Sequence, residues 1–236
     1  MNRPEADTVI IIPAHNEEAS ISYVLDDLPK ERLKAIIVVN NNSTDETAAV
    51  AIRHGAKVTL EETMGYGQAC LTGIKSALSF NPSIIAFVDG DYSDFPSELS
   101  MILEEVDKGY DLVIGSRTRG GAEPGALLPQ AIFGNWLATS LMRLFFKGPS
   151  FTDLGPFRAI RTKALLEIQM KDRDFGWTVE MQIKALIHKL KISEVSVGYK
   201  KRIGISKITG TLKGTVKAGY KILGLIFYLR LRSFFR

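Results

Sequence analysis

The chain has 236 residues, of which 45% are apolar, with 30 Lys and Arg against 26 Asp and Glu. This length suits one large domain or at most two small ones, and the ordinary composition with one cysteine excludes a disordered chain, a collagen-like repeat and a disulfide-stapled scaffold. Acidic residues near the N-terminus and a short apolar run are not typical of a signal peptide, so we expect a cytoplasmic protein.

The first half of the chain alternates between two apolar patterns. Short apolar runs bounded by turn residues predict strands at 8–12, 35–39, 57–60, 84–88 and 112–114. Stretches of helical period predict helices between them at 17–28, 44–54, 67–79 and 96–108. Asn16 and Ser43 are predicted N-caps, and Pro96 suits the first turn of its helix. Such an alternation is typical of an α/β fold, in which helices sandwich a mainly parallel sheet.

The second half is less regular. A glycine-rich loop at 115–129 carries two arginines, Arg117 and Arg119. Beyond this loop the apolar pattern predicts three helices and one short strand, at 131–146, 162–168, 179–190 and 195–199. Because neither a repeat nor a linker separates these elements, we expect one domain over residues 1–208. The remaining segment, 209–236, is not expected to form an independent domain.

The C-terminal end of the chain is strongly basic. Ten cationic side chains and no acidic ones follow Glu194, whereas the rest of the chain has 20 cations and 26 anions. A basic end on an acidic body predicts an anionic partner such as a phosphate, a nucleic acid or a membrane surface. We expect no nucleic-acid partner, because these cations alternate with Ile, Leu and Phe and no RNA-binding motif is present.

The same end of the chain predicts an amphipathic helix. Lys213, Lys217 and Lys221 recur every four residues and therefore share one face. A second face takes apolar side chains, namely Leu212, Val216, Leu223, Ile226 and Phe227. The apolar stretch is shorter than the about 20 residues that cross a bilayer, so we expect a peripheral protein whose helix lies on an anionic membrane surface. The alternative is a helix that packs on the body, with its lysines in solvent.

An acidic motif follows the strand predicted at 84–88. Asp89 and Asp91 flank Gly90, and Asp94 is close behind. Ligands of open α/β sheets bind at the carboxyl ends of the strands, so the first two carboxylates are predicted to hold one Mg²⁺ or Mn²⁺, with positions left for diphosphate oxygens. The alternative is an acidic turn that caps the next helix.

Polar residues also follow the first two predicted strands. Residues 13–18 read PAHNEE and residues 40–45 read NNNSTD. Both segments are predicted to line the same sheet edge as Asp89, where they can bind a base and a ribose, although each alone can be only a helix cap. GYGQ at 65–68 can turn backbone N–H groups toward a phosphate, but its spacing fits neither a dinucleotide-binding motif nor a P-loop.

Together these motifs resemble those of a known family. In chain order they are IIPAHNEE, NNNSTDET, GYGQA, DGDYSDFP, GSRTRGG, TDLGPFRAIR, Glu180 and KRIGISK. Their order and spacing are similar to those of family 2 glycosyltransferases of the GT-A fold, and within that family to dolichol-phosphate mannose and glucose synthases. The resemblance implies a GT-A fold and an inverting transfer of a hexose from a UDP- or GDP-sugar to polyprenyl phosphate at the cytosolic face of a membrane.

The strand-end loops and the resemblance together name candidate site residues. The candidates for nucleotide-sugar binding are Pro13, Asn16, Glu17, Asn40, Asn42, Gly67, Asp89, Gly90, Arg202 and Lys207. The resemblance makes Asp89 and Asp91 the metal pair and gives catalytic roles to Asp91, Asp153 and Arg117. It also assigns Gly155, Phe157 and Arg158 to an acceptor-side motif, and Ser206 to a basic segment that grips phosphates.

Three features depart from the family pattern. Residues 40–42 are three asparagines where Asp-Asp-Gly is common, which leaves the preferred nucleotide open. Ser93 stands where the mannose-phosphate enzymes often have Gln, which leaves a third metal contact at this position open. The paired transmembrane helices of some relatives are not expected here.

The kind of acceptor decides whether the reaction needs a base. A lipid phosphate is already anionic at neutral pH, whereas a hydroxyl must lose its proton to a carboxylate, for which Asp153 and Glu180 are the candidates. The alternative for Asp153 is a turn cap before Gly155, and the alternative for Glu180 is a surface position. The sugar, the preferred metal and the acceptor stay open, as does self-association into a homo-oligomer.

Overall fold

The computed structural model describes residues 7–204 and 212–233. The strands of this part of the chain are β1 Thr8–Ala14, β2 Leu33–Asn40, β3 Lys57–Leu60, β4 Ile84–Phe87, β5 Leu112–Ser116, β6 Arg158–Arg161 and β7 Ile192–Ser196. They form one sheet in the order β3-β2-β1-β4-β6-β5-β7. β6 runs antiparallel to β4 and β5, and the other neighbouring pairs are parallel. The predicted mainly parallel sheet is confirmed.

Helices cover both faces of this sheet. In the described residues they are α1 Ile21–Asp26, α2 Thr47–Arg53, α3 Tyr66–Leu78, α4 Leu99–Asp107, α5 Arg117–Gly120, α6 Pro129–Phe145, α7 Thr162–Ile168, α8 Trp177–Ile187 and α9 Leu212–Ser233. One apolar core packs α3, α6, α7, α8 and α9 on one face of the sheet, and a second core packs α1, α2 and α4 on the other. The molecule is therefore an α/β sandwich, as predicted.

The central strand β1 shows how the sequence builds both cores. Val9 and Ile11 belong to the core under α3, whereas Ile10 and Ile12 belong to the core under α1 and α4. Successive strand residues point to opposite faces, so a run of β-branched residues fills both layers at once. All four side chains are fully buried.

The second half of the sheet differs from its prediction. The sequence pattern does not predict β6, because its four residues, RAIR, begin and end with arginine. β7 begins at Ile192, three residues before the start of the predicted strand, so the two share residues 195 and 196. The added antiparallel strand brings the segment before Arg158 next to β4 and β5.

The two predicted N-caps are wrong. α1 is preceded by Ser20 and α2 by Glu46. Asn16 instead adopts a left-handed backbone with φ 54°, and its side-chain oxygen accepts the backbone N–H of Thr44 at 2.8 Å. Its own backbone N–H donates to Ser43 Oγ at 3.0 Å. These hydrogen bonds connect the loops after β1 and β2. Asn16 and Ser43 therefore hold the two loops together and do not cap a helix.

The C-terminal helix packs on the body of the protein. α9 lies against α6 and α8, with Ile226 and Leu229 buried. Lys221 forms an ion pair with Asp172 at 3.0 Å, so this lysine of the predicted cationic face contacts the protein. The predicted apolar face is divided, because Ile226 is buried and Val216 is exposed. Within the described residues, none of the helices has the length and apolar content needed to cross a membrane.

Candidate active site

Two clefts meet at the carboxyl edge of the sheet. The first, the strand-end cleft, has a volume of about 380 Å³ and is lined by the loops after β1, β2 and β4 and by the start of α3. The second, the α6 cleft, has a volume of about 400 Å³ and lies between the loop after β5 and the start of α6. Arg202 lines both clefts, so a molecule bound in one lies next to a molecule bound in the other.

The acidic pair lies in the strand-end cleft. Asp89 accepts a hydrogen bond from the hydroxyl of Tyr66 at 2.9 Å. Burial, and in second place the charge of Asp91, raise the pKa of Asp89 to about 7. Asp91 is nearly buried, and its Oδ1 accepts the backbone N–H of Ser93 at 3.0 Å and its hydroxyl at 2.6 Å. Two crowded carboxylates of this kind favour a nearby positive charge.

The alternative reading of the acidic motif does not fit the structure. The turn before α4 is preceded by Phe95, and neither that turn nor α4 has a side-chain cap. The carboxylates of Asp89 and Asp91 are therefore available to the cleft and not to a helix end. As hard oxygen donors they fit Mg²⁺ or Mn²⁺. The described residues hold no cluster of three or more metal-ligating side chains, so other ligands of such an ion would come from a substrate or water.

Arg202 supplies a positive charge beside this pair. Its Nη1 lies 3.0 Å from Asp91 Oδ2, and its Nη2 lies 3.1 Å from Glu17 Oε1. The structure thus brings three predicted site residues together from positions far apart in sequence. Ser206 and Lys207, which belong to the same predicted basic segment, lie outside the described residues.

The loops after β1 and β2 contribute fewer residues than predicted. Pro13 and Glu17 line the strand-end cleft, whereas Asn16 does not. Of the three consecutive asparagines, Asn41 lines the cleft, and the predicted Asn40 and Asn42 do not. The reason is register, because adjacent residues at a strand end point in different directions.

Asn41 lies within the segment predicted to line this edge, although Asn40 and Asn42 were the named candidates, and its side chain shapes the cleft. Its amide nitrogen donates to the carbonyls of Glu61 and Thr63, and its oxygen accepts the backbone N–H of Gly65. These bonds hold the loop that leads into α3. Tyr66, the first residue of α3, is a second residue that is absent from the predicted candidates, and its position in GYGQ at 65–68 is the signal that could have identified it.

Gly67 has a packing role. A Cβ at this position would lie 2.3 Å from the carbonyl oxygen of Asp172, so only glycine lets α3 approach that turn. Gly67 does not line the strand-end cleft, in contrast to the prediction, whereas Gly90 does. The turn held against Gly67 continues into Asp174 and Phe175, which line the cleft. Neither residue is among the predicted candidates.

Arg117 and Asp153 form a buried ion pair at the edge of the α6 cleft. Asp153 Oδ2 accepts the backbone N–H and the Nε–H of Arg117, both at 2.8 Å, and its Oδ1 accepts from Nη2 at 2.7 Å. Burial alone would raise the pKa of Asp153, but the charge and hydrogen bonds of Arg117 outweigh it and hold this pKa below its ordinary value. The Asp153 carboxylate is therefore ionised and orients Arg117. Because both of its oxygens already accept hydrogen bonds from Arg117, it is poorly placed to accept a proton from a substrate.

The other predicted acceptor-side residues are structural. Glu180 is buried, accepts backbone N–H groups of Lys171 and Asp172, and pairs with Lys184 at 2.7 Å. The predicted surface position is therefore wrong, and because Glu180 lines neither of the two clefts, its location does not favour a role as a base. Arg158 is fully buried and donates to the backbone carbonyl of Thr178, and Phe157 belongs to a core.

The α6 cleft combines cations with apolar side chains. Arg117, Lys201 and Arg202 lie on its polar side. Its apolar side is formed by the loop before α6 and the first turns of that helix, namely Leu127, Leu128, Ala131 and Ile132. The site therefore offers an anion a place next to an apolar surface.

That apolar surface continues onto the outside of the protein. On α6, the side chains of Ile132, Phe133 and Trp136 are 50%, 61% and 59% exposed. The Phe133 and Trp136 ring centroids lie 5.8 Å apart. We call these three residues the α6 apolar patch. A large exposed apolar patch on a protein marks an interaction site for a protein, a membrane or an apolar ligand.

Comparison with known proteins places the chain in a family. The family described as glycosyl transferase family 2 matches residues 9–169. An uncharacterized glycosyltransferase of Mycobacterium tuberculosis is 35% identical over 89% of this chain and 93% of its own length. A dolichyl-phosphate hexose transferase of Haloferax volcanii is 29% identical over 96% of each chain. The chain belongs to glycosyl transferase family 2.

A further relative is similar over most of the chain, and a solved structure shares its fold. The polyprenol monophosphomannose synthase of Mycolicibacterium smegmatis is 27% identical over 89% of this chain and 83% of its own. The glucosyl-3-phosphoglycerate synthase of Mycobacterium tuberculosis, solved with Mn²⁺, UDP-glucose and phosphoglyceric acid, superposes with a TM-score of 0.74 at 20% identity, covering 95% of this chain and 80% of that one. This likeness confirms the predicted GT-A fold.

Proposed function

We propose that this glycosyltransferase transfers a hexose from a nucleotide-sugar to a polyprenyl phosphate at a membrane surface. The observation that carries the proposal is the meeting of the two clefts at Arg202. One cleft has an acidic pair suited to a metal-bound diphosphate, and the other has cations beside apolar side chains. A lipid phosphate has both of the properties that the second cleft matches.

The strand-end cleft is the donor site in this proposal. Asp89 and Asp91 would hold Mg²⁺ or Mn²⁺, and such an ion supplies positive charge to the diphosphate leaving group. The structural relative that binds Mn²⁺ and UDP-glucose supports this assignment. Arg202 now neutralises Asp91 and Glu17, and in the loaded enzyme its guanidinium is in position to stabilise the departing diphosphate as well.

The α6 cleft is the acceptor site. Arg117, held by Asp153, and Lys201 would orient the acceptor phosphate next to the donor sugar. One phosphate oxygen would form a bond to the anomeric carbon while the bond from that carbon to the diphosphate breaks, which inverts the configuration. Because the attacking oxygen is already anionic, no residue has to remove a proton. The ion pair of Asp153 with Arg117 is consistent with a phosphate acceptor, which needs no base.

The isoprenoid chain of the acceptor would follow the apolar side of the α6 cleft. Leu127, Leu128 and Ile132 lead from the cations to the α6 apolar patch. A membrane surface in contact with this patch would deliver the acceptor phosphate directly to Arg117. The two relatives named for dolichyl-phosphate and polyprenol substrates support this kind of acceptor.

A radiolabelled transfer assay tests the proposal. The protein is given UDP- and GDP-sugars with Mg²⁺ or Mn²⁺ and one of three acceptors: a short polyprenyl phosphate, the matching polyprenol, or 3-phosphoglycerate. We expect metal-dependent label only in the polyprenyl phosphate, and its loss in Asp91→Asn. Label in the polyprenol would require a base and would contradict the assignment of the acceptor, and label in 3-phosphoglycerate alone would replace the lipid with a soluble acceptor.

A further inference from the structure

The C-terminal helix contributes a cation to the strand-end cleft. Lys217, on the second turn of α9, lines this cleft together with Asp89 and Asp91. It lies 48 residues beyond the end of the segment that matches the family, which is residues 9–169. The helical spacing predicts that Lys217 lies on a cationic face toward an anionic membrane surface, and not in a cleft of the sheet.

The position of Lys217 is set by the ion pair one helical turn later. Lys221 is 3.0 Å from Asp172 Oδ2, and Asp172 Oδ1 accepts the backbone N–H groups of Asp174 and Gly176. Asp172 is nearly buried, so it anchors α9 to a turn that is itself fixed. The same turn carries Asp174, which lines the strand-end cleft. The wall of the cleft and α9 are therefore one connected unit.

Apolar packing holds the rest of α9 in place. Leu225 lies so close to Gly176 that a Cβ there would be 2.7 Å from Leu225 Cδ2. Further along the helix, Ile226 and Leu229 are buried against the body. Because α9 is fixed at several points, Lys217 has a defined position one helical turn before Lys221. Less conformational entropy is therefore lost when Lys217 binds a ligand.

The charges of the cleft favour a role for Lys217. Its lining side chains include four carboxylates, from Glu17, Asp89, Asp91 and Asp174, and two cations, Arg202 and Lys217. Arg202 is engaged by two of these carboxylates. Within the described residues, the Lys217 ammonium has the ring of Phe175 as its neighbour, at 5.7 Å from the centroid, and forms no ion pair.

We propose that Lys217 binds the diphosphate of the nucleotide-sugar. The proposal rests on the assignment of the strand-end cleft as the donor site. An ammonium on an exposed side chain at the cleft wall adds a charge-assisted hydrogen bond to a phosphate oxygen, and it offsets the negative charge of the carboxylates. The C-terminal helix thereby becomes part of the donor site.

Calorimetric titration of the full chain tests this assignment. UDP and GDP are titrated with Mn²⁺ into wild type, Lys217→Met and Lys217→Arg, because methionine keeps the apolar stem and arginine keeps the charge. We expect about tenfold weaker diphosphate binding in Lys217→Met, the usual effect of one lost charge-assisted hydrogen bond, and recovery to within about threefold in Lys217→Arg. Lys75→Met is the matched control, since Lys75 is exposed on α3 and does not line the cleft.

The outcomes separate this inference from the proposed function. Equal diphosphate affinity in wild type and Lys217→Met overturns the role of Lys217, even if label appears in polyprenyl phosphate. A tenfold loss in Lys217→Met, recovered by arginine, supports it even if the labelled acceptor is not a lipid. An equal loss of diphosphate affinity in both Lys217 variants would show that the substitutions disturb the cleft wall, and it would overturn the inference. If wild type binds neither UDP nor GDP, the assignment of the donor site is refuted, and the inference fails with it.

Discussion

Arg202 and Asp91 form an ion pair, with Nη1 3.0 Å from Oδ2, at the point where the two clefts meet. The second nitrogen of the same guanidinium pairs with Glu17. One side chain therefore neutralises carboxylates of the strand-end cleft and also lines the cationic α6 cleft. This position predicts that Arg202 affects both substrates, whereas its neighbour Lys201 lines only the α6 cleft.

Arg202→Met is expected to lower kcat for hexose transfer by about 10- to 100-fold, because a charge aimed at the leaving diphosphate is lost. Lys201→Met is expected to raise the KM for polyprenyl phosphate and leave the KM for the nucleotide-sugar unchanged. Steady-state kinetics with each substrate varied in turn measure both effects. Identical kinetic profiles for the two variants would refute the assignment of Arg202 to the junction.

Asp153→Asn is expected to destabilise the fold by about 3 kcal/mol at pH 7, because it leaves the Arg117 guanidinium without its counter-charge. The pKa of Asp153 in the folded state lies below its unfolded value of about 4. The stability that the pair contributes is thus complete above pH 4 and is lost as the pH falls through the folded-state pKa. Urea denaturation between pH 7 and pH 3 should show the deficit of Asp153→Asn shrinking at the acidic end.

The same variant distinguishes orientation from proton transfer. If Asp153 only holds Arg117, the pH profile of residual transfer activity keeps its shape in Asp153→Asn. A catalytic base would instead produce an acidic limb that disappears in the variant. In the double variant Arg117→Met/Asp153→Asn, we expect the loss of stability to be less than the sum of the two single losses, since the residues form one pair.

Phe133→Ser with Trp136→Ser is expected to weaken binding to anionic vesicles by about tenfold or more, because two exposed apolar side chains of the α6 apolar patch are removed. Transfer to a water-soluble short-chain polyprenyl phosphate should stay within about twofold of wild type. Vesicle sedimentation measures the first quantity. Leu144→Ser is the control, since Leu144 is 73% exposed near the far end of the same helix; an equal loss there would argue against a local patch.

Gly67→Ala is expected to destabilise the protein by about 1–3 kcal/mol, because its Cβ would overlap the backbone of Asp172. Gly224→Ala, in the interior of α9 with nothing within 4 Å of an added Cβ, is expected to change stability by no more than about 1 kcal/mol, in the stabilising direction. Thermal unfolding of the two variants under the same conditions compares them. Equal stability of Gly67→Ala and wild type would show that the turn at 172–174 can move away.

The sequence by itself determined the α/β fold and the location of the acidic pair. Short β-branched runs such as Ile10–Ile12 in the first strand are local signals, and buried parallel strands need them on both faces. Residues that follow such strands lie at the carboxyl edge of the sheet whatever else the chain does. Asp89, Asp91, Pro13 and Glu17 were predictable for that reason.

Only the tertiary structure decided which neighbours of those residues face the cleft. Asn41 rather than Asn40 or Asn42 lines the cleft, since the choice depends on where β2 ends and on its bonds to a later loop. Asp153 is tied to Arg117, 36 residues earlier, and this pairing depends on the unpredicted strand β6. Lys217 reaches the cleft because α9 packs on α8. Contacts between residues far apart in sequence leave no periodic pattern in the sequence. The positions of these side chains therefore depend on the tertiary structure.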